Sequence, residues 1–265
     1  MTISDAGPFR AFKGYTPHYA GAVTGVAPEY SGWQDEQLSW KKTCYVGDWS
    51  FVPQISVKGP DAHRLFRDLS VNNLDNMPLA RAKHCVQVNE DGKTISEGIL
   101  LRHAEDHFEY LCGTPQWVLF NLKTGGYDAE ASMPVSYKLQ VSGPNALALC
   151  EKLQGGNSLR DTKFMWRQKG QIDGLDVDFL RQGMAGEIGF ELQGPIQERE
   201  TVLQAILAAG KEFGIRRLGA RNLMINHLEA CNPTGSMHFY NALSDDKRAD
   251  YHAFMAKDEN LLREW

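Results

Sequence analysis

The chain has 265 residues, 42% hydrophobic and 23% charged, with six Trp, nine Tyr and twelve Phe. That is enough apolar material for one large or two smaller packed cores, and too much for a disordered segment. The net charge is −5 and basic residues alternate with acids, as in Asp61-Ala62-His63-Arg64-Leu65-Phe66-Arg67-Asp68, which excludes a basic face for nucleic acid. The five cysteines are odd in number, far apart and without a C-x-x-C pair, a pattern for a reducing compartment rather than a disulfide framework or a zinc site. The N-terminal octet Met1 to Pro8 has no basic n-region or apolar h-region, and nowhere do eighteen apolar residues run together. The expectation is a cytoplasmic protein with no membrane span and no metal.

In chain order, the loop Tyr30-Ser31-Gly32-Trp33 opens a heavily aromatic stretch that continues through Trp40, Tyr45 and Trp49. Aromatic walls with a few polar groups are what flat-ligand sites use. For Trp40 and Trp49 plain packing is at least as good a reading, whereas Tyr30 and Trp33, beside a glycine in a loop, stand as ligand-contact candidates. A helix is expected over residues 35–42, burying Leu38 and Trp40.

An internal repeat follows and decides the architecture. Gln54-Ile55-Ser56-Val57-Lys58-Gly59-Pro60-Asp61-Ala62 reads against Leu139-Gln140-Val141-Ser142-Gly143-Pro144-Asn145-Ala146, with Val57 falling on Val141 and Leu65, Phe66 and Leu69 on Leu149, Cys150 and Leu153. Each copy predicts a strand, a Gly-Pro break, Asp or Asn as N-cap, and a helix. Between the copies, strands are expected at 83–88, 99–102 and 108–112. His103 and His107 have the spacing of a metal pair, but lie between strands, where a solvated turn is the expectation. After the second copy come strands within 170–180 and at 189–192, then a helix over 198–213. The prediction is α+β, with two αβ lobes at 1–135 and 136–265, each an antiparallel sheet with helices on one face. From Cys231 the chain is less regular, with a turn at Asn232-Pro233-Thr234-Gly235 and a charged, helical stretch within 244–257.

The densest chemical signal is Gly183-Met184-Ala185-Gly186-Glu187-Ile188-Gly189-Phe190-Glu191-Leu192. Three glycines before an alternating strand bring backbone close to something. On the inner face, Glu191 could accept two hydrogen bonds from an aminopyrimidinone; a glycine-rich hairpin with a surface glutamate is the alternative. Arg221, before the apolar-periodic segment 222–228, suits a ligand carboxylate or a structural ion pair. No G-x-S-x-G, P-loop or Rossmann fingerprint is present.

These segments resemble the folate-binding superfamily that contains the glycine-cleavage aminomethyltransferase, or T-protein. The likeness runs through Glu36 to Asp48, Ile55 to Leu69 ("SGPDA"), Gly183 to Leu192 ("GYTGEDGFEI") and Leu218-Gly219-Ala220-Arg221-Asn222 with Leu228-Glu229-Ala230 ("LGARD…LEAG"), covering roughly residues 30–232. The resemblance implies a cloverleaf whose first two lobes are ferredoxin-like, with tetrahydrofolate as cofactor and Glu191 as its pterin-binding residue. A third, β-barrel lobe belongs to that fold, and almost nothing strand-like follows Tyr240; the lobe is expected to be missing or supplied by a partner or another segment. Where aminomethyltransferases carry a catalytic "DD" pair this chain has Glu97-Gly98. Between Arg221 and Leu228 it is two residues longer than the family pattern.

Within the superfamily, Tyr30 to Gln37, Gly47-Asp48-Trp49-Ser50 and Gly183-Met184-Ala185-Gly186 are most similar to tetrahydrofolate-dependent aryl O-demethylases. That likeness implies methyl transfer from a methoxylated aromatic acid, such as vanillate or syringate, to give 5-methyltetrahydrofolate. Tyr30 would touch the aromatic ring together with Trp33, Gln54 would hydrogen-bond a phenol or carboxylate, and Tyr240 would be an acid for the leaving phenolate. Glu191 and Arg221 would hold the cofactor. A non-catalytic folate-binding or assembly protein of the same fold, and a demethylase for a sulfonium or amine donor, are the alternatives.

Overall fold

The computed structural model describes residues 26–156, 158–184, 186–232, 239, 241–244 and 248–257. In chain order the elements are α1 (Trp33–Lys42), β1 (Cys44–Asp48), β2 (Gln54–Lys58), α2 (Ala62–Leu69), β3 (Ala82–Val88), β4 (Thr94–Ala104), β5 (His107–Cys112), α3 (Pro115–Thr124), β6 (Glu130–Ser132), β7 (Ser136–Ser142), α4 (Ala146–Leu153), β8 (Arg167–Ile172), β9 (Leu175–Arg181), β10 (Gly189–Pro195), α5 (Arg199–Gly210), β11 (Ile215–Arg217), α6 (Ala220–Glu229) and α7 (Ala249–Met255). Among the described residues no helix is long and apolar enough to cross a membrane.

Both copies of the repeat have one element order, β-α-β-β-β-α-β: β2 to β6 in the first, β7 to β11 in the second. Their sheets run β3-β4-β5-β2-β6 and β8-β9-β10-β7-β1-β11. The second sheet is thus the first with β1 inserted between its last two strands. Because β1 is antiparallel to β7 and parallel to β11, this sheet is mixed, while the first is antiparallel throughout. Two expectations are corrected here. Each copy carries one strand more than a ferredoxin-like βαββαβ unit, and one sheet is not purely antiparallel.

The insertion also redraws the domains. Residues 26–51 belong with 135–232, and residues 52–134 with the described residues beyond 232, rather than dividing at 135. In the first unit α4 and α5 cover one face of the sheet around Leu139, Val141, Phe190 and Leu192. Helices α1 and α6 lie against the other face at its β1 end, where Trp40 meets Tyr45 edge-on at 5.9 Å and Leu223 lies over Gly47. Helices therefore occupy both faces. In α1 the buried positions are Glu36, Ser39 and Trp40; Leu38, half a turn away, is 47% exposed, against expectation. The second unit packs α2 and α3 on Ile55, Val57, Leu100, Phe108 and Tyr110.

The repeat is exact in its hydrogen bonds. Ala62 and Ala146 N–H donate to the Gly59 and Gly143 carbonyls, and Leu65 and Leu149 N–H to Asp61 and Asn145. Ala80 and Met165, both at positive φ, donate to the carbonyls of Arg102 and Arg181. Those arginines send Nη1 back to the Met77 and Thr162 carbonyls, at 2.5 Å in each case. Asp61 and Asn145 stand at the N-cap positions but do not cap. Their side chains tie in neighbouring segments instead, Asp61 accepting from Arg64 and Asp128 N–H and Asn145 donating to the Phe213 carbonyl.

Gly143 (φ +121) has the Thr43 carbonyl oxygen and Cys44 Cα where a Cβ would sit, at 2.8 and 2.9 Å, whereas Gly174 (φ +81) opens into space. Gly174 completes the Asp-Gly turn of the β8–β9 hairpin. Gly143→Ala is expected to cost about 2–4 kcal/mol and Gly174→Ala about 1 kcal/mol, read from urea midpoints of the two variants. Equal losses would mean that backbone conformation alone sets the cost.

Candidate functional site

The face of the first unit's sheet turned away from α4 and α5 is polar and buried. In strand register, Gly47, Gln140, Glu191, Leu180 and Arg167 form one row across five strands. Lys138, Gln193 and Asp178 form the next. Gln140 is fully buried, Lys138 is 2% exposed, and Glu191 and Gln193 are each 7% exposed. Four polar side chains rarely share a buried sheet face without a reason, since each must be paired or bear a desolvation cost.

The pairing is incomplete. Gln193 Nε2 donates to Glu191 Oε1 at 2.6 Å. Gln140 Nε2 donates to Ser142 Oγ at 2.9 Å and to the Gln182 carbonyl at 2.5 Å, which leaves Gln140 Oε1 buried with no hydrogen-bond partner. Burial pushes the Glu191 carboxyl above its ordinary value, against smaller opposing pulls from the Gln193 hydrogen bond and the Lys138 charge. Side by side on paired residues, the face offers a carboxylate and an amide oxygen. Both are acceptors, a set that fits a flat ligand presenting adjacent N–H groups.

The glycine-rich approach to Glu191 has an internal cause. A side chain at Gly189 would run into Ser142 Oγ, and one at Gly183 into the Glu187 carbonyl. These glycines bring backbone close to the protein's own sheet. Tyr30 and Trp33 belong to the same unit, and their loop is held by Glu36, a fully buried carboxylate. Glu36 accepts from Tyr30 N–H (2.5 Å), Ser31 N–H (3.0 Å), Gly219 N–H (2.8 Å) and Asn222 Nδ2 (2.9 Å). The Tyr30 ring lies under the Arg217 guanidinium at 4.2 Å, and its hydroxyl accepts from Ala27 N–H at 3.3 Å. Trp33 opens α1, with its N–H on Glu29 Oε2. Glu29 also forms an ion pair with Arg221.

Gln54 is buried in β2 of the other unit, and Tyr240 lies outside the described residues. The structure thus brings Tyr30, Trp33 and Arg221 to one end of the first unit and puts Glu191 within its sheet. Gln140, Gln193 and Lys138 escaped sequence reading, although strand alternation in Leu139-Gln140-Val141-Ser142 marks Gln140 as the residue facing away from the core.

His103 and His107 are not in a solvated turn. His103 is the next-to-last residue of β4 and His107 the first of β5, with rings 4.9 Å apart, His103 paired with Glu109 at 3.3 Å and His107 with Ser56 at 2.8 Å. Burial and the neighbouring His103 lower the pKa of His107. Among the described residues no group of three side chains is arranged to hold a metal.

A carboxyl raised in the folded chain stabilises the fold below its ordinary value of 4.5, and that contribution is lost as pH rises through the raised value. Glu191→Gln is therefore expected to melt above the parent chain near neutral pH, the gap closing below pH 4.5. Thermal melts across that range check it, and a variant that melts lower at neutral pH would contradict the assignment.

Residues 13–240 match the family described as the GCVT N-terminal domain. The chain is 34% identical over 220 residues to a syringate O-demethylase from Sphingobium sp., covering 78% of this chain and 47% of that one. It is 30% identical to a sesamin methylene transferase from Sinomonas sp., covering 82% and 49%. The aminomethyltransferase T of the glycine cleavage system from Bartonella henselae superposes with a TM-score of 0.69 at 22% identity, over 79% of this chain and 57% of that one. The chain spans about half the length of these two curated relatives. It belongs to the family of the glycine-cleavage T-protein N-terminal domain.

Proposed function

We propose that this chain takes part in tetrahydrofolate-dependent demethylation of a methoxylated aromatic acid. The observation that carries the reading is the buried Glu191 carboxylate set opposite Gln140, whose Oε1 has no partner. Glu191 would accept from the adjacent N–H groups of the pterin, Gln140 Oε1 would accept a further one, and Gln193 would orient the carboxylate. When bound, tetrahydrofolate supplies the N5 amine that accepts the methyl group. Buried acceptors of this kind discriminate strongly, because a ligand without the matching donors leaves them unpaired. The two relatives at 34% and 30% identity are named for syringate and sesamin, which favours an aryl ether over a sulfonium or amine donor.

The residue at 98 supports a departure from glycine cleavage. A Cβ there would collide with the Leu111 carbonyl oxygen and lie 2.9 Å from Cys112 Cα, so no carboxylate fits at that point of β4. Gly98→Asp is expected to lose about 1–3 kcal/mol of stability without gaining aminomethyl transfer; a stable variant that releases ammonia from an aminomethyl donor would overturn this.

The direct test is calorimetric titration of tetrahydrofolate, followed by mass spectrometry for 5-methyltetrahydrofolate with vanillate and syringate. Binding to the parent is expected to fall at least tenfold in Glu191→Gln, since a charge-assisted pair of hydrogen bonds is worth about 1.5–3 kcal/mol each. Tyr240→Phe is expected to slow turnover by roughly 10²-fold or more with folate binding kept. A parent chain that binds no folate would sink the proposal.

A further inference from the structure

Along α3 and α7 in the second unit runs a shallow, solvent-open groove with a volume of about 450 Å³. Trp117 and Phe120, only 5% and 7% exposed, stack in its lining with centroids 5.4 Å apart at 26°, and Phe254 of α7 meets Phe120 edge-on at 5.4 Å. The Arg248 guanidinium lies 5.1 Å over the Trp117 ring and forms an ion pair with Glu90 of the β3–β4 turn. Asp250 and Lys257, of opposite charge, complete the rim.

The two partners of that ion pair are in unlike surroundings. The Arg248 side chain is 17% exposed and that of Glu90 80%. A guanidinium carries five N–H donors in a fork shaped for both oxygens of a carboxylate, and Arg248 spends a single hydrogen bond on Glu90. A largely desolvated cation beside stacked aromatic faces is thus served by an acid that stands in water and can swing away at little cost. A cationic ligand would meet Arg248, and a neutral ring would leave the guanidinium to Glu90.

We propose that this groove binds a small aromatic carboxylate, its ring against Trp117 and Phe120 and its carboxylate on Arg248 in place of Glu90. Glu90 is then an internal competitor, an occupant of the anion position that the ligand displaces. The site lies in a different unit from Glu191 and is independent of the folate reading.

Calorimetric titration of benzoate into the full chain tests it, with benzamide as the uncharged control. Glu90→Ala, in an exposed turn where folding is not at stake, is expected to bind benzoate about two- to fivefold more tightly than the parent, the range set by the strength of an exposed ion pair. Benzamide is expected to bind at least tenfold more weakly than benzoate, and Arg248→Gln to lose the preference. Unchanged or weaker benzoate binding in Glu90→Ala overturns the proposal, as does equal affinity for benzamide. So does an absence of benzoate binding in both parent and Glu90→Ala.

Discussion

The antiparallel ladder between β7 and β10 is the constraint on which the first unit depends. It sets Val141 against Phe190 and Leu139 against Leu192 on the core face, and Gln140 against Glu191 on the other. Side chains alternate with a period of two, so a slip of one residue would turn Phe190 and Leu192 out of the core and drive a carboxylate into it. The apolar side therefore holds the register that presents the polar side. The Glu191 carboxylate is carried at a cost that the Gln193 hydrogen bond and the Lys138 charge offset only in part. A fold selected for stability alone would place an aliphatic residue there. That cost, with Gln140 Oε1 unpaired beside it, is the physical basis of the proposed ligand face.

The duplicated unit explains where that face stands. Both copies build the same strand order and repeat one arginine clamp, Arg102 in one and Arg181 in the other. Only the second copy receives β1. Inserting β1 brings α1 with it, and α1 carries Glu36, which ties the Tyr30 loop to the start of α6 through four hydrogen bonds. One strand insertion thus converts a repeated scaffold into a unit with an aromatic loop and a second layer of helix on its polar face. The first copy, without an inserted strand, has Glu109 opposite Ser56 where the second has Glu191 opposite Gln140. Its carboxylate is committed to His103.

Glycine positions show how family likeness and local physics divide the explanation. The glycine run at 183–192 has the pattern of backbone that approaches a ligand, yet Gly183 and Gly189 make room for the Glu187 carbonyl and Ser142 Oγ of the chain itself. At residue 98 the pairing of β4 with β5 leaves no room for a side chain. The family relationship is secure from the matched residues, and backbone contacts within this chain close position 98 to any side chain.

The local alternation of apolar and polar residues, Gly-Pro breaks and helical spacing were legible in the sequence alone, because each depends on near neighbours in the chain. They sufficed for the repeat, the strands and helices around it, and the α+β class; likeness to a family then singled out Glu191. What needed the tertiary structure were the non-local relations. The insertion of β1 between β7 and β11 pairs residues about 170 positions apart. The exposure of Leu38 depends on which face of α1 meets β1 and α6, and the Arg221–Glu29 pair spans 192 positions. Gln140 and Lys138 join Glu191 and Gln193 only when β7 and β10 fall into register, and no spacing along the chain records a register set by the packing of side chains on the opposite face.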